Sequence, residues 1–391
     1  MITAPPRGFE RAEFEHRTAN AQERMAELGF DALLLSTEPE VRYFSGFHSQ
    51  FWESPTRPWF VIVPLDGIPI AVIPEIGQSG MVKTWIEDIR TWPAPRPKDD
   101  GITLLAGALN DLKRRFGQIG VPLGHESHIR MPAADFARLR DMLPAFDIAD
   151  AAPLIHDLRN IKSEPEIAKI RHVCQLTSDA FEALPASLQA GQSERQNCQR
   201  LRIDLLERGA DNSPYLIAGS GPGGYDSIIM GPSDRIIEPG DVLIIDTGTV
   251  YDGYFCDFDR NYAFGAPDDD LKRAHDVVYR ATDAGIEAAR PGATCADLAA
   301  AMWRVLEDGG ALGNDVGRLG HGLGMQLTEG PSHTPDDHTA LQPGMVLTIE
   351  PGMEFAPGKN MVHEENIVVR EDGAELLSRR APQDIPVVDC R

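Results

Sequence analysis

Four carboxylates and one imidazole in the C-terminal half of the chain, Asp246, Asp257, His321, Glu350 and Glu364, could do chemistry together. Asp246 follows the apolar run Val242-Leu-Ile-Ile, Glu350 follows Met345-Val-Leu-Thr-Ile, and Glu364 lies just ahead of Ile367-Val-Val. Acidic groups at such places repel one another and resist burial unless cations hold them together. Divalent ions that favour oxygen but accept one imidazole include manganese, iron, cobalt and zinc, so a metal centre is expected, with two ions. The run Gly320-His321-Gly322-Leu323-Gly324 carries the imidazole on backbone thin enough for close approach.

The spacing within 241–260 sharpens this expectation. Asp252-Gly253 is a two-residue hairpin signal, and a turn there puts Asp246 opposite Asp259 and diagonal to Asp257, all on one side of the ribbon. Three carboxylates on one face need a counter-charge. Arg260 with water at a sheet edge is the competing source for it.

The elements that must position these groups can be traced along the chain. A length of 391 residues with 42% hydrophobic content predicts two domains, 1–155 and 156–391. The first reads as a smaller α/β unit: a helix through Ala21, Met25 and Leu28 stopped by Gly29, then strands at 32–35, 59–63 and 70–73. A Pro-rich break at 92–97 precedes a helical stretch at 104–116 and a strand-like run at 121–124. The second opens at Ser163, with Pro165 in the first turn, Glu166 closing a capping box, and Ile167, Ile170, Cys174, Thr177 and Phe181 at helical spacing. Further helices are predicted at 194–209, 269–289 and 295–308, and strands at 241–264 and from 345 onward, giving an α+β class.

A formal charge of −23 excludes nucleic acid and anionic membrane surfaces as partners. The N-terminal residues lack the apolar stretch of roughly 7–15 that a signal peptide needs, so a cytoplasmic location is expected. Five scattered cysteines without CxxC spacing read as reduced thiols, with Cys256 turned to packing on the face opposite Asp257. The glycine run 219–224 lacks the following Lys-Ser/Thr of a phosphate loop.

The runs DTG at 246–248, GYFCDFDR at 253–260, GHGLG at 320–324, TEGP at 328–331, TIEPGM at 348–353 and HEENIVV at 363–369 resemble the pita-bread metallopeptidases. That family includes aminopeptidase P, prolidase and methionine aminopeptidase, together with creatinase and a dimethylsulfoniopropionate lyase. The run Val41-Arg-Tyr-Phe-Ser-Gly46-Phe is similar to a motif of the N-terminal domain in the creatinase and prolidase branch. The resemblance implies a pita-bread catalytic domain behind a smaller creatinase-like α/β domain, and a homodimer. It implies two divalent ions, manganese before iron, cobalt or zinc, with Asp246 on one, Asp257 and Glu364 bridging, and His321 and Glu350 on the second. Glu364 is chosen over Glu365 because a ligand Glu, an acidic residue and then the strand is the family order. A bridging hydroxide would attack a peptide or amide carbonyl, with Glu350 shuttling the proton to the leaving nitrogen.

The chain departs from the peptidase pattern where Ile229, Thr328 and Val362 stand in place of two histidines and an arginine. Part of the pocket is therefore expected to be apolar, with Thr328 as a substrate contact. The aromatic loop 50–59 offers Trp52 and Arg57, the latter able to hold a substrate carboxylate. Tyr225 is a further candidate substrate contact. The leading expectation is an Xaa-Pro aminopeptidase or prolidase type of hydrolase. The alternatives are a metal-dependent hydrolase or lyase of a small non-peptide metabolite, and an inactive binding module.

Overall fold

The computed structural model describes residues 3–313 and 317–390. The chain divides into two compact units, Pro6–Arg159 and Asn160–Arg391, the second also taking in the N-terminal residues up to Pro5. The division falls at 159/160, against an expected 155/156. Among the described residues no helix is long and apolar enough to cross a membrane.

The first unit is built on a six-stranded sheet. Its strands are β1 (Ala32–Leu35), β2 (Phe60–Pro64), β3 (Ile70–Pro74), β4 (Asp88–Trp92), β5 (Gln118–Val121) and β6 (Asp147–Asp150), in the order β4-β3-β2-β1-β5-β6. The hairpin β2-β3 is antiparallel, whereas β5 and β6 join in parallel, as crossover connections require. Gly29 caps the first helix in the left-handed region, its N–H bonding Met25 O. Two expectations fail here together: the helix covers only Ile102–Asn110, and the strand starts at Gln118, before 121. The cause is Asp31, whose carboxylate accepts N–H bonds from Arg115, Phe116, Gly117 and Gln118 and so draws those amides out of any helix.

The second unit carries two main sheets. The first runs β18-β10-β8-β7, from β7 (Asn212–Pro222), β8 (Asp241–Tyr251), β10 (Phe258–Phe264) and β18 (Val387–Val388), with β9 (Tyr254–Phe255) paired to β8. The second runs β12-β11-β13-β16-β17, from β11 (His321–Gly322), β12 (Glu329–Ser332), β13 (Val346–Ile349), β16 (Glu365–Arg370) and β17 (Gly373–Leu376). A hairpin of β14 (Gly352–Ala356) and β15 (Lys359–Val362) completes the strands named here. Helices Asp269–Ala288 and Cys295–Asp308 lay Val277, Val278, Leu298 and Met302 into one core with Ile244, Leu347 and Ile367. Burying each such side chain contributes ~1.5–3 kcal/mol, and that core fixes the sheet ends where the carboxylates lie.

The helix Glu164–Ala183 starts on the expected capping box, with Ser163 N–H on Glu166 Oε2 at 2.9 Å. It also buries Lys169, whose Nζ meets Asp252 Oδ2 at 2.7 Å and ties the helix to the hairpin tip. Asp252 and Gly253 both take positive φ, 49° and 78°, as a type I′ turn demands.

Candidate metal centre

The predicted hairpin register holds: Asp259 pairs with Asp246, and Phe258 with Thr247. In the second sheet Ile349 pairs with Glu365, so Glu350 and Glu364 follow as opposite residues one step past the end of the ladder. Two contacts stitch the sheets together at this point. Asn366 bonds the backbone of Asp257 with both ends of its amide, accepting from Asp257 N at 2.9 Å and donating to Asp257 O. Asp259 Oδ1 accepts the Glu364 N–H at 3.1 Å.

The result is a convergence of acids. Ligand atoms of Asp257, His321 and Glu364 all lie within 4.8 Å of one another, with His321 Nε2 3.5 Å from Asp257 Oδ2. Asp246 and Glu350, which keep some exposure, complete the cluster electrostatically: both raise the carboxyls of Asp257 and Glu364. Burial first, and then these mutual charges, push Asp257 and Glu364 well above the usual carboxylate range. Burial likewise raises Asp246 to about 7, and burial with Asp246 raises Glu350 to about 8.

His321 is oriented by its backbone. Its N–H bonds Thr348 Oγ1 at 3.0 Å, and Nδ1 lies 2.8 Å from Gly322 O, so Nδ1 carries the proton and donates it to that carbonyl. Burial and the charge of Arg318 hold the imidazole down to about 3, hence neutral. The flanking glycines are obligatory: a Cβ on Gly320 would lie 2.3 Å from Thr348 O, and one on Gly322 would lie 1.9 Å from Gly330 O.

A bare Nε2 lone pair facing a carboxylate oxygen is repulsive, and Asp246 Oδ1, Asp257 Oδ1 and Glu364 Oε1 are buried with no hydrogen-bond partner. Oxygen donors without protein partners beside one imidazole fit divalent cations. The competing counter-charge is spent elsewhere. Arg260 donates to the Asp259, Glu364 and Arg379 carbonyls and to Glu365 Oε2 at 3.2 Å. Glu365 itself accepts from Arg260, Arg380, Ser378 and Ala381 N, so the saturated residue of the pair is Glu365 and the one facing the cluster is Glu364.

Other sequence-predicted residues fall outside this cluster. Tyr225, expected as a substrate contact, is 1% exposed, with its hydroxyl donating to Asn261 Oδ1 and accepting from Val362 N. Val362 is likewise 2% exposed in the core, so it adds no apolar wall as expected; Ile229, by contrast, is 77% exposed. Thr328 Oγ1 accepts from Arg318 Nη2 at 3.2 Å. In the other unit, Arg57 has φ 58° and lies over the Phe51 ring, and Trp52 lies beneath Arg130. Arg130 clamps that loop through the carbonyls of Phe51, Ser54, Thr56 and Arg57.

Three residues escaped the sequence reading. Tyr215 has its own ionisation raised by burial and by Asp246, Asp257, Glu364 and Glu350, and in turn opposes the rise of Asp246. Its position follows from Tyr215 pairing with Gly248 on β8, a register that no turn signal betrays because residues 223–240 separate the strands. Arg318 supplies the one cation acting on Asp257, Glu350 and His321 alike among the causes of their shifts, and Asn366, at the head of the strand Glu365–Arg370, carried no local signal of its hold on Asp257.

Comparison with known proteins fits this geometry. The family model "Metallopeptidase family M24" matches residues 168–371, and "Creatinase/Prolidase N-terminal domain" matches 17–161. The chain is 29% identical over 388 residues to "Probable dipeptidase PepE" of Mycobacterium tuberculosis, covering 98% of each chain. It is 27% identical over 363 residues to "Xaa-Pro dipeptidase" of Pyrococcus horikoshii, covering 91% of this chain and 95% of that one. The crystal structure of dipeptidase PepE from Mycobacterium ulcerans superposes with a TM-score of 0.85 at 28% identity, over 98% of this chain and 100% of the other. The expected architecture, a pita-bread catalytic domain with a creatinase-like N-terminal domain, is therefore correct. The chain belongs to metallopeptidase family M24 and is a metallohydrolase.

Proposed function

We propose that this protein is a dinuclear metallopeptidase that cleaves short peptides, of the Xaa-Pro dipeptidase type, with Asp246, Asp257, His321, Glu350 and Glu364 holding two divalent ions. The observation that carries this reading is the set of buried carboxylate oxygens without hydrogen-bond partners around a neutral, backbone-oriented His321. The names of its relatives, dipeptidase and Xaa-Pro dipeptidase, support the substrate class. Manganese fits the oxygen-rich donor set with one nitrogen best. When bound, paired divalent ions acidify a water and polarise the carbonyl under attack.

The protein's own groups do the rest. Glu350 takes up the proton and passes it to the leaving nitrogen, for which its partial exposure at the strand end suits it. His321 stays neutral and fixed through Gly322 O, so its Nε2 lone pair is permanently presented. Tyr215 favours the charged form of Asp246, opposing the rise that burial imposes on it. Arg318, linked to Thr328 and Ser332, offsets acidic charge at the cluster and is the cation to receive a substrate carboxylate.

Hydrolysis of Xaa-Pro and non-proline dipeptides by protein reconstituted with Mn(II) or Co(II) is the test, with metal content measured in parallel. Metal-dependent release of free proline is the expected result. Two bound ions without cleavage of any dipeptide would turn the assignment to a small non-peptide metabolite, and no bound metal would turn it to an inactive binding module.

A further inference from the structure

Asp259 takes no part in the five-residue ligand set, yet it is more buried than any of its members. It is 1% exposed and stands directly opposite Asp246 across the β8-β10 ladder, on the same side of the ribbon. Its two oxygens have different fates. Oδ1 is fixed by the N–H of Glu364, the residue whose carboxyl enters the cluster. Oδ2 is buried with no hydrogen-bond partner, in the same condition as Asp246 Oδ1, Asp257 Oδ1 and Glu364 Oε1.

The adjacent guanidinium does not explain this. Arg260 is turned to the Asp259 carbonyl and to Glu365, and no hydrogen bond joins its side chain to the Asp259 carboxyl. A buried carboxylate oxygen left without a donor carries the full cost of desolvation, so it persists where a cation supplies what the protein does not. The charge of Arg260 offsets part of this cost, but it gives Oδ2 no hydrogen bond; with Asp246 beside it and the Glu364 backbone pinned to its other oxygen, the proposed ions are the partner left for Oδ2.

We propose that Asp259 is a sixth metal-centre residue, presenting Oδ2 to the ion pair while Oδ1 holds Glu364 in register. This rests on the dinuclear reading above. Such a residue would bind the ions more tightly and couple the two sheets to their occupancy, since it spans β10 and the start of β16.

The experiment is calorimetric titration of chelator-stripped wild type and Asp259→Asn with Mn(II), with Mn(II) spin resonance to detect coupled ions. Asn keeps an acceptor for the Glu364 N–H and removes only the charge, so a role confined to positioning Glu364 predicts no change. The expected result is two ions in the wild type and a loss of ~10-fold or more in affinity at one or both sites in the variant, the range found for groups that support metal ligands. Two ions at unchanged affinity in Asp259→Asn overturn this assignment and leave the dinuclear reading intact. Fewer than two ions in the wild type overturn both. Should circular dichroism show Asp259→Asn unfolded, Asp259→Thr, also neutral and able to accept the same N–H, takes its place with the same two outcomes.

Discussion

Glu364 and Glu365 are neighbours in sequence with opposite electrostatic situations, and exchanging each for glutamine separates them. Glu365 is 0% exposed and accepts hydrogen bonds from two guanidinium groups, a hydroxyl and a backbone N–H. Glu365→Gln leaves Arg260 and Arg380 facing a neutral amide, and breaking a buried pair of this kind costs ~3–5 kcal/mol. Because Gln retains one acceptor oxygen, the lower end, about 3 kcal/mol, applies. For a unit of this size each kcal/mol corresponds to ~2–4 °C, so the melting temperature of metal-free protein should fall by roughly 6–12 °C. Glu364→Gln instead removes an anion that has no partner on Oε1 and that Asp257, Glu350, Asp246 and Asp259 all repel. Metal-free Glu364→Gln should therefore melt at or above the wild-type temperature while losing ion affinity and peptidase activity. Scanning calorimetry on stripped protein, followed by Mn(II) titration, reads both. The reasoning is refuted if Glu364→Gln destabilises the stripped protein as much as Glu365→Gln, or if Glu365→Gln abolishes metal binding while Glu364→Gln spares it.

Three further outcomes are expected. Chelation should abolish hydrolysis and lower the melting temperature, and restoring Mn(II) to a thousandfold excess over its dissociation constant should return ~4 kcal/mol of stability; a chelator-insensitive melt contradicts the metal assignment. His275 is held down to about 4 by burial and then by Arg380, so between pH 6.5 and 4 the unfolded chain binds the proton that the folded one refuses. Stability present above 6.5 is thus lost on acidification, by ~3 kcal/mol at full development, and His275→Gln should flatten that part of the curve; an unchanged pH dependence would count against it. Arg130→Gln should release the carbonyls of residues 51–57, exposing Trp52 and shifting tryptophan emission to the red, whereas an unaltered spectrum would mean the loop is held by its aromatic packing alone.

Much of the site was legible because its signals are local. The Asp252-Gly253 turn sets a two-residue loop, and with it the facing of Asp246 and Asp259 follows from the period of the strand. The glycines around His321 announce a close approach, and the capping box announces where the helix Glu164–Ala183 begins. Where long-range bonds override local preference the reading failed. Asp31, far away in sequence, draws Arg115 and Phe116 out of the helix expected over 104–116, and Tyr225 and Val362 satisfy each other inside a core that no periodicity reveals.

Residue types, spacing and turn chemistry alone thus determined that carboxylates and an imidazole would gather at strand ends, because a strand alternates its faces and a tight turn fixes its partner. Only the tertiary structure decided that Glu365 is saturated by Arg260, Arg380, Ser378 and Ala381 while Glu364 faces the cluster, that Arg260 makes no hydrogen bond to the Asp259 carboxyl, and that Tyr215, Arg318 and Asn366 act on the clustered acids and their strands. Those choices depend on the distances between segments that lie a hundred or so residues apart, where packing of the shared core, and no rule of local sequence, sets which charges meet.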